Sequence, residues 1–242
     1  MLSDMKAMIL AAGIGSRLGA LTQSTPKCLM PLGNGETILD HVAKKLVKLG
    51  ASELVVNTHH MAEQLEAHIS QQGQYGITVH LSYENSLLNT GGGLKNVARH
   101  FENESAFIVH NADIYCTSDI GVTYQAHLKQ QASATLVCMT RSSSRGVFVD
   151  ANSRVTGWTG EQPPHTPKAT ERRLAFSGIS VCSPSIFQYM PDQASFSIME
   201  AFLLAARNTN NVYVSEIDAT TWTDIGTPEK LLTLQTQLRD SE

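Results

Sequence analysis

Four side chains in this sequence have types and settings suited to phosphate chemistry. Arg17 and Lys27 lie in "LAAGIGSRLGALTQSTPKCLMPLG", Asp113 in "HNADIY" and Asp224 in "TWTDIGTP". The two cations share their stretch with Gly13, Gly15 and Gly19. Successive backbone N–H groups in a glycine-rich turn make a concave anion site, and the missing Cβ lets a phosphate approach the backbone. Pro26 fixes the chain beside Lys27 and disfavours helix at Thr25, so both cations are expected on one extended loop. A glycine cluster alone is more often a tight turn than a ligand site; together with Arg17 and Pro26-Lys27 it reads as phosphate binding. The dinucleotide fingerprint is the competing pattern, but its glycines open a helix directly and it needs an acidic residue about 20 positions on. Here Thr22 to Pro31 holds two prolines and no apolar periodicity.

Asp113 follows the apolar run "AFIVH", at a strand end where open α/β sheets place ligands, and Asp224 ends another short run. Either alone reads as a cap or turn aspartate. As a pair they suit Mg²⁺, which takes one or two carboxylates together with phosphate oxygens. "NTGGGL", Asn89 to Leu94, sets three glycines ahead of an expected helix, as a helix-start turn or as a surface for a flat base. Asn111 either bonds a ribose or sugar hydroxyl or sits in a strand-end turn. His59-His60 makes a poor chelating pair, because neighbours on a strand point to opposite faces. Trp158 and Trp222 read as core residues before stacking platforms.

The elements that must carry these residues alternate. "AMILAA" (7–12) and "ELVVNT" (53–58) are short apolar runs, and Leu39, Val42, Ala43, Leu46 and Leu49 between them recur at helical spacing. Thr37 is placed to cap that helix and Gly50 to end it. A helix near 61–69, the strand "ITVHLSY", a short helix after Gly93, the strand "AFIVH" and a helix near 120–130 continue the pattern. Alternation of this kind predicts an α/β fold with an open, mostly parallel sheet covered on both faces. From Ala134 onward "ATLVCM", "GVFVDANSRVTGW" and "LAFSGISVCS" predict a mixed extension of the sheet. Residues 159–173 are polar and proline-rich and are expected to form a mobile loop or lid. The last helices are predicted at 196–206 and 228–238, the second with Thr227 as cap and Pro228 at its first position.

The whole is one domain's worth of chain, 242 residues with 42% hydrophobic content. No run approaches the roughly 18 apolar residues of a membrane span, and the N-terminus lacks the pattern of a signal peptide, so a cytoplasmic protein that does not bind membranes is expected. The net charge of -4 gives no basic field for a nucleic-acid backbone. Cys28, Cys116, Cys138 and Cys182 are scattered without metal-ligand spacing, so neither zinc nor disulfides are implied by them.

The stretch from Leu10 to Gly33 resembles the signature of sugar-1-phosphate nucleotidylyltransferases, roughly L-A-A-G-x-G-T-R-L-x-P-L-T-x-x-x-P-K-x-L-x-P, departing at Ser16 and at Gly19-Ala20. "VVNTHH", "LLNTGGGL", "HNADI", "AFSGISV" and "WTDIGTPEKL" are similar to later blocks of the bacterial mannose-1-phosphate guanylyltransferase-like and N-acetylmuramate-1-phosphate uridylyltransferase-like branch. The resemblance implies a Rossmann-like three-layer sandwich with a mixed, mostly parallel sheet, one domain over 1–242 in which 1–130 takes the nucleotide and 131–242 the sugar. It implies Arg17 and Lys27 as catalytic cations, and Ala11, Ala12, Gly13, Gly15 and Ser16 around the nucleotide. Thr90, Gly91 and Gly92 would meet base and ribose, with Gly93 serving the turn. Asn111, Glu161 and Gly178 would face the sugar, and Asp113 and Asp224 would hold Mg²⁺. Where the family has Glu-Lys-Pro this sequence has Glu161-Gln162-Pro163, which removes a cation from the sugar phosphate; Lys168, Arg172, Arg173 and Arg145 stand as replacements. The implied activity is Mg²⁺-dependent transfer of a nucleotidyl group from an NTP, UTP or GTP first, to a sugar 1-phosphate of mannose, heptose or N-acetylmuramate type, by a monomer or homodimer. The chain is expected to lack the acyltransferase or regulatory extensions of some relatives. Three other readings compete: a cytidylyltransferase acting on a phosphate such as phosphocholine, a non-catalytic sensor of the same fold, and a nicotinamide-dependent oxidoreductase, which leaves Lys27, Asp113 and Asp224 without roles.

Overall fold

The computed structural model describes residues 4–240. Its first unit is β1 (Met5–Leu10), α1 (Ile38–Leu49) and β2 (Ala51–Thr58), followed by α2 (Ala62–Gln71) and β3 (Thr78–Tyr83). As expected, Thr37 and Gly50 bound α1. The Thr37 hydroxyl accepts the Asp40 N–H at 3.1 Å, the Asp40 carboxylate accepts the Thr37 N–H at 2.9 Å, and Gly50 turns out of the helix at φ 110°. Then come α3 (Asn89–Asn96), β4 (Phe107–Asn111), β5 (Ile114–Cys116), α4 (Ile120–Gln130), β6 (Ala134–Met139), β7 (Val147–Val149), β8 (Val155–Trp158) and β9 (Arg172–Cys182). The chain closes with α5 (Ile198–Thr209), β10 (Val212–Glu216), β11 (Trp222–Asp224) and α6 (Pro228–Arg239). Thr227 caps α6 with Pro228 in its first turn, as its sequence predicts.

The main sheet runs β10-β6-β9-β4-β1-β2-β3, all parallel except β9, which is antiparallel to both neighbours; β7 pairs with β9 and β8, and β5 and β11 form a separate antiparallel pair. Strands buried on both faces read as unbroken apolar runs, and β1 does so: Met8 packs on one side with Val55, Leu94, Phe107 and Phe202, while Ala7 and Ile9 pack on the other with Leu39, Val42 and Ile108. This is the doubly covered, mixed sheet expected from the alternation. The sheet runs outward in opposite directions from β1 through β2 and β4, so the crevice beyond the carboxyl ends of β1 and β4 is a topological switch point, the place where such sheets bind ligands.

Four expectations need correction. β1 ends at Leu10, not Ala12, because the Ala11 N–H leaves the ladder and donates to Asn57 Oδ1 at 2.7 Å. The cation loop is not extended: it folds into two 3₁₀ turns, Ser16–Thr22 and Lys27–Leu29, closed by the Thr22 hydroxyl on the carbonyls of Gly15 and Gly19 at 3.2 and 3.3 Å. The helix placed after Gly93 begins at Asn89, so the three glycines lie inside it. α5 starts at Ile198 instead of 196, because Ser197 and Glu200 form a capping box there.

Candidate active site

A cavity of about 480 Å³, within the range of small-molecule sites, opens at this switch point. Leu10, Ala11 and Ala12 line it where β1 ends, and Asn111, Ala112 and Asp113 line it where β4 ends. Gly13, Gly15, Ser16, Arg17 and Lys27 line it from the loop, and Asn89 and Thr90 from the start of α3. Gly15 holds φ 71°, a left-handed conformation that glycine adopts freely, and the first 3₁₀ turn starts from it.

The loop is anchored from below. Leu18, Met30 and Leu32 form a small apolar core with Ile38 of α1, Ile225, and Leu231 and Leu234 of α6. Leu18, buried directly after an exposed Arg17, anchors the backbone while the Arg17 guanidinium stays free to meet a ligand. Lys27 reaches inward instead. Its side chain is only 10% exposed, and Nζ lies 2.5 Å from Asp113 Oδ2.

Asp224 stands beside this pair. It lies opposite Ile114 in the β5–β11 ladder, and the Ile225 N–H donates to the Asp113 carbonyl at 3.0 Å. Its Oδ1 accepts the N–H of Gly226, a cavity residue, at 3.0 Å, and its Oδ2 meets Lys230 Nζ at 2.5 Å. Burial pushes the Asp224 pKa up, but Lys230, the Gly226 N–H and the charge of Arg141 outweigh it and hold the group below the usual carboxylate range. At neutral pH it is ionised.

The sequence matches the nucleotidyl transferase family model over residues 6–241. The chain belongs to the nucleotidyl transferase family. It is 29% identical over 233 residues to the mannose-1-phosphate guanylyltransferase of Mycobacterium tuberculosis, covering 93% of this chain and 62% of that protein. It is 27% identical over 210 residues to the UTP-glucose-1-phosphate uridylyltransferase of Synechocystis sp., covering 80% of this chain and 53% of that protein. The chain thus spans 53 to 62% of the length of these two relatives. Among solved structures, a UDP-glucose pyrophosphorylase complexed with UDP-glucose superposes with a TM-score of 0.81 at 15% identity, covering 99% of this chain and 100% of that one. HddC from Yersinia pseudotuberculosis gives 0.76 at 21% identity, covering 97% and 99%. At these identities the structural likeness establishes the fold alone.

Several residues that resemblance to the nucleotidyl transferase family assigns to substrate lie elsewhere. Gly91 and Gly92 do not line the cavity: they donate to the Phe196 carbonyl at 2.9 and 3.4 Å. A Cβ on Gly91 would lie 2.3 Å from the Phe196 ring, and one on Gly92 would lie 2.1 Å from the Ala194 carbonyl oxygen. Their smallness serves helix packing. Glu161 is buried away from the cavity, accepting the Trp158 N–H at 2.5 Å and paired with Arg207 of α5, so its carboxylate is already engaged. Gly178 lies behind Asn111, whose amide a Cβ there would meet at 2.7 Å.

The four replacement cations are also absent from the cavity lining. Lys168 lines a separate cavity of about 230 Å³. Arg172 pairs with Glu216 at 2.7 Å, Arg173 donates to the Ser143 carbonyl at 2.6 Å, and Arg145 is exposed. Residues 159–171 carry their own ties, including His165 to Glu171 at 2.9 Å, and β9 begins at Arg172. Neither His59 nor His60 lines the cavity; His59 bonds the Glu84 carbonyl at 2.7 Å. Trp158 packs on the core, and Trp222 donates to the Ser177 carbonyl at 2.9 Å beneath the Arg141 guanidinium.

Asn57 and Glu84 line the site although the sequence assigned neither a role; Asn57 lies in the "VVNTHH" block, and Glu84 in none. Asn57 accepts from the Ala11 N–H through Oδ1 and donates through Nδ2 to the buried Glu84 at 2.7 Å. Glu84 in turn accepts the Leu88 N–H at 3.0 Å, one residue ahead of α3. This relay ties β1, β2 and the start of α3 into one wall. Ser195 and Leu87 also line the cavity.

Proposed function

We propose that this cavity catalyses transfer of a nucleotidyl group from an NTP to a sugar 1-phosphate, releasing pyrophosphate, with UTP or GTP as donor and a sugar of mannose, heptose or N-acetylmuramate type. The observation that carries this reading is the inward Lys27, set on Asp113 at the end of β4 with Arg17 on the same loop. The names of the relatives support the same reaction class.

In this account Arg17 and the backbone around Gly13 to Ser16 hold the β and γ phosphates. Lys27 lies between the α phosphate and the incoming sugar phosphate. An oxygen of the sugar phosphate attacks the α-phosphorus in line; that P–O bond forms as the bond to the β-phosphate oxygen breaks, and pyrophosphate carries away the electron pair. The attacking group is already an anion near neutral pH, so no general base is needed and catalysis consists of positioning and charge neutralisation. Thr90 and Asn89 border the donor's nucleoside, and Asn111 the acceptor. Asp113 lines the cavity, while Asp224 is absent from its lining and reaches it through Gly226; the two carboxylates offer the hard oxygen donors Mg²⁺ selects and would hold it. Bound there, Mg²⁺ supplies further neutralisation of the phosphate oxygens.

Calorimetric titration with UTP and with GTP in MgCl₂ tests the assignment of the donor site. One nucleotide per chain is expected, with Arg17→Ala weakening binding at least tenfold. Failure of every NTP to bind would remove the phosphate-loop reading.

A further inference from the structure

The sheet carries a second constellation at the end away from the cavity. Glu53 lies near the amino end of β2 and His80 near that of β3, while Asn57 at the other end of β2 lines the cavity. Lys6 pairs with Glu53 in the β1–β2 register and Val55 with His80 in the β2–β3 register, so Glu53 and His80 are diagonal neighbours on one face. The 3₁₀ turn Ala98–His100, which follows α3, brings His100 over them.

We propose that Glu53, His80 and His100 form a binding site for a first-row transition-metal dication of the zinc class. One donor atom from each lies within 4.8 Å of the others. His80 Nε2 is 3.0 Å from Glu53 Oε2, and the two imidazole rings stand 4.8 Å apart at 46°. Ligand atoms about 2.0–2.2 Å from a tetrahedral zinc are roughly 3.3 Å from one another, so the Glu53–His80 pair already has that spacing and His100 needs a side-chain rotation to join it. The His100 ring has the face of His80 as neighbour and no hydrogen-bond partner among the described residues. Two imidazoles with one carboxylate select zinc, copper or nickel over Mg²⁺ and Ca²⁺, which prefer all-oxygen shells. All three residues are partly exposed, leaving room for a water as fourth ligand.

Lys6 competes with the metal. Its Nζ lies 3.4 Å from Glu53 Oε1 and equally 3.4 Å from Glu104 Oε1, so it keeps a carboxylate partner when Glu53 turns to a cation. The metal would join β2, the edge strand β3 and the turn after α3, independently of the reaction assigned to the cavity.

The test is calorimetric titration of the chelator-treated full chain with ZnCl₂ in excess MgCl₂, which keeps the cavity aspartates from contributing. One zinc per chain is expected, weakened at least tenfold in His80→Ala and in His100→Gln, and tightened severalfold in Lys6→Gln. Metal-free melting temperatures and circular dichroism verify that each variant folds. No zinc binding by the wild type, or wild-type affinity in the His80→Ala/His100→Gln double variant, would overturn the proposal.

Discussion

In the proposed mechanism Lys27 is the residue on which the reaction turns. A charge felt mainly where negative charge gathers in the transition state lowers kcat when removed while leaving substrate binding less affected. Lys27→Ala is therefore expected to cut kcat by about two orders of magnitude or more, the range for removing one electrostatic stabiliser, with an unchanged circular dichroism spectrum. Near-normal turnover would refute its role. Two buried histidines make a separate prediction. His127 bonds the hydroxyls of Thr135 and Ser183, each at 3.0 Å, and burial pulls its pKa down to about 4; His110 is pulled to about 3, chiefly by burial. The folded chain keeps both neutral, whereas the unfolded chain takes up protons below about pH 6.5. Stability should fall as pH drops through 6.5, by up to about 1.4 kcal/mol per pH unit per histidine, and the His127 share should stop growing near pH 4. Urea unfolding from pH 7 to 4.5 should show a shallower loss in His127→Gln; identical slopes would contradict it. The placement of Arg17, Lys27 and Asp113 on one cavity was legible in the sequence because short motifs carry them, whereas Asp224 is outside its lining. The roles of Asn57, although it lies in "VVNTHH", and of Glu84 were not legible, since their bonds join residues 46 and 27 positions apart that only the strand order brings together.

At the scale of elements, hydrophobic periodicity placed α1, β2 and β4, and turn chemistry placed the caps at Thr37 and Thr227. "NTGGGL" misled because glycine disfavours helix locally, while Gly91 and Gly92 are in a helix whose close packing against 194–198 leaves no space for a Cβ. Gly91→Ala should then cost about 1–3 kcal/mol by overpacking against Phe196, read as a lowered urea midpoint. An unchanged midpoint would show that the packing yields. Glu161 misled in another way: its motif position suggested substrate, but its partners are Trp158 and Arg207. The small core under the loop couples α6 to the cavity proposed to take the nucleotide. Leu231→Ala should cost about 2–5 kcal/mol of stability and also raise the KM for NTP, since the loop loses its anchor. A stability loss with unaltered KM would uncouple the two.

For the molecule as a whole, strand order decides where chemistry is possible. β1 and β4 run side by side to the switch point, the cation loop and Asp113 follow directly from their ends, and β11 brings Asp224 opposite Ile114. The overall α/β class could be read from alternation, but the antiparallel insertion of β9 between β4 and β6 depends on long-range pairing that no local pattern encodes. The account's central claim is tested most directly by pyrophosphate release from the purified chain in MgCl₂, crossing UTP, GTP, CTP, ATP and dTTP with mannose, glucose, N-acetylglucosamine, N-acetylmuramate and heptose 1-phosphates. It predicts one donor and acceptor pair far above the rest, with UTP or GTP as donor. Pyrophosphate from none of the pairs, by a chain that still binds nucleotide, would contradict it.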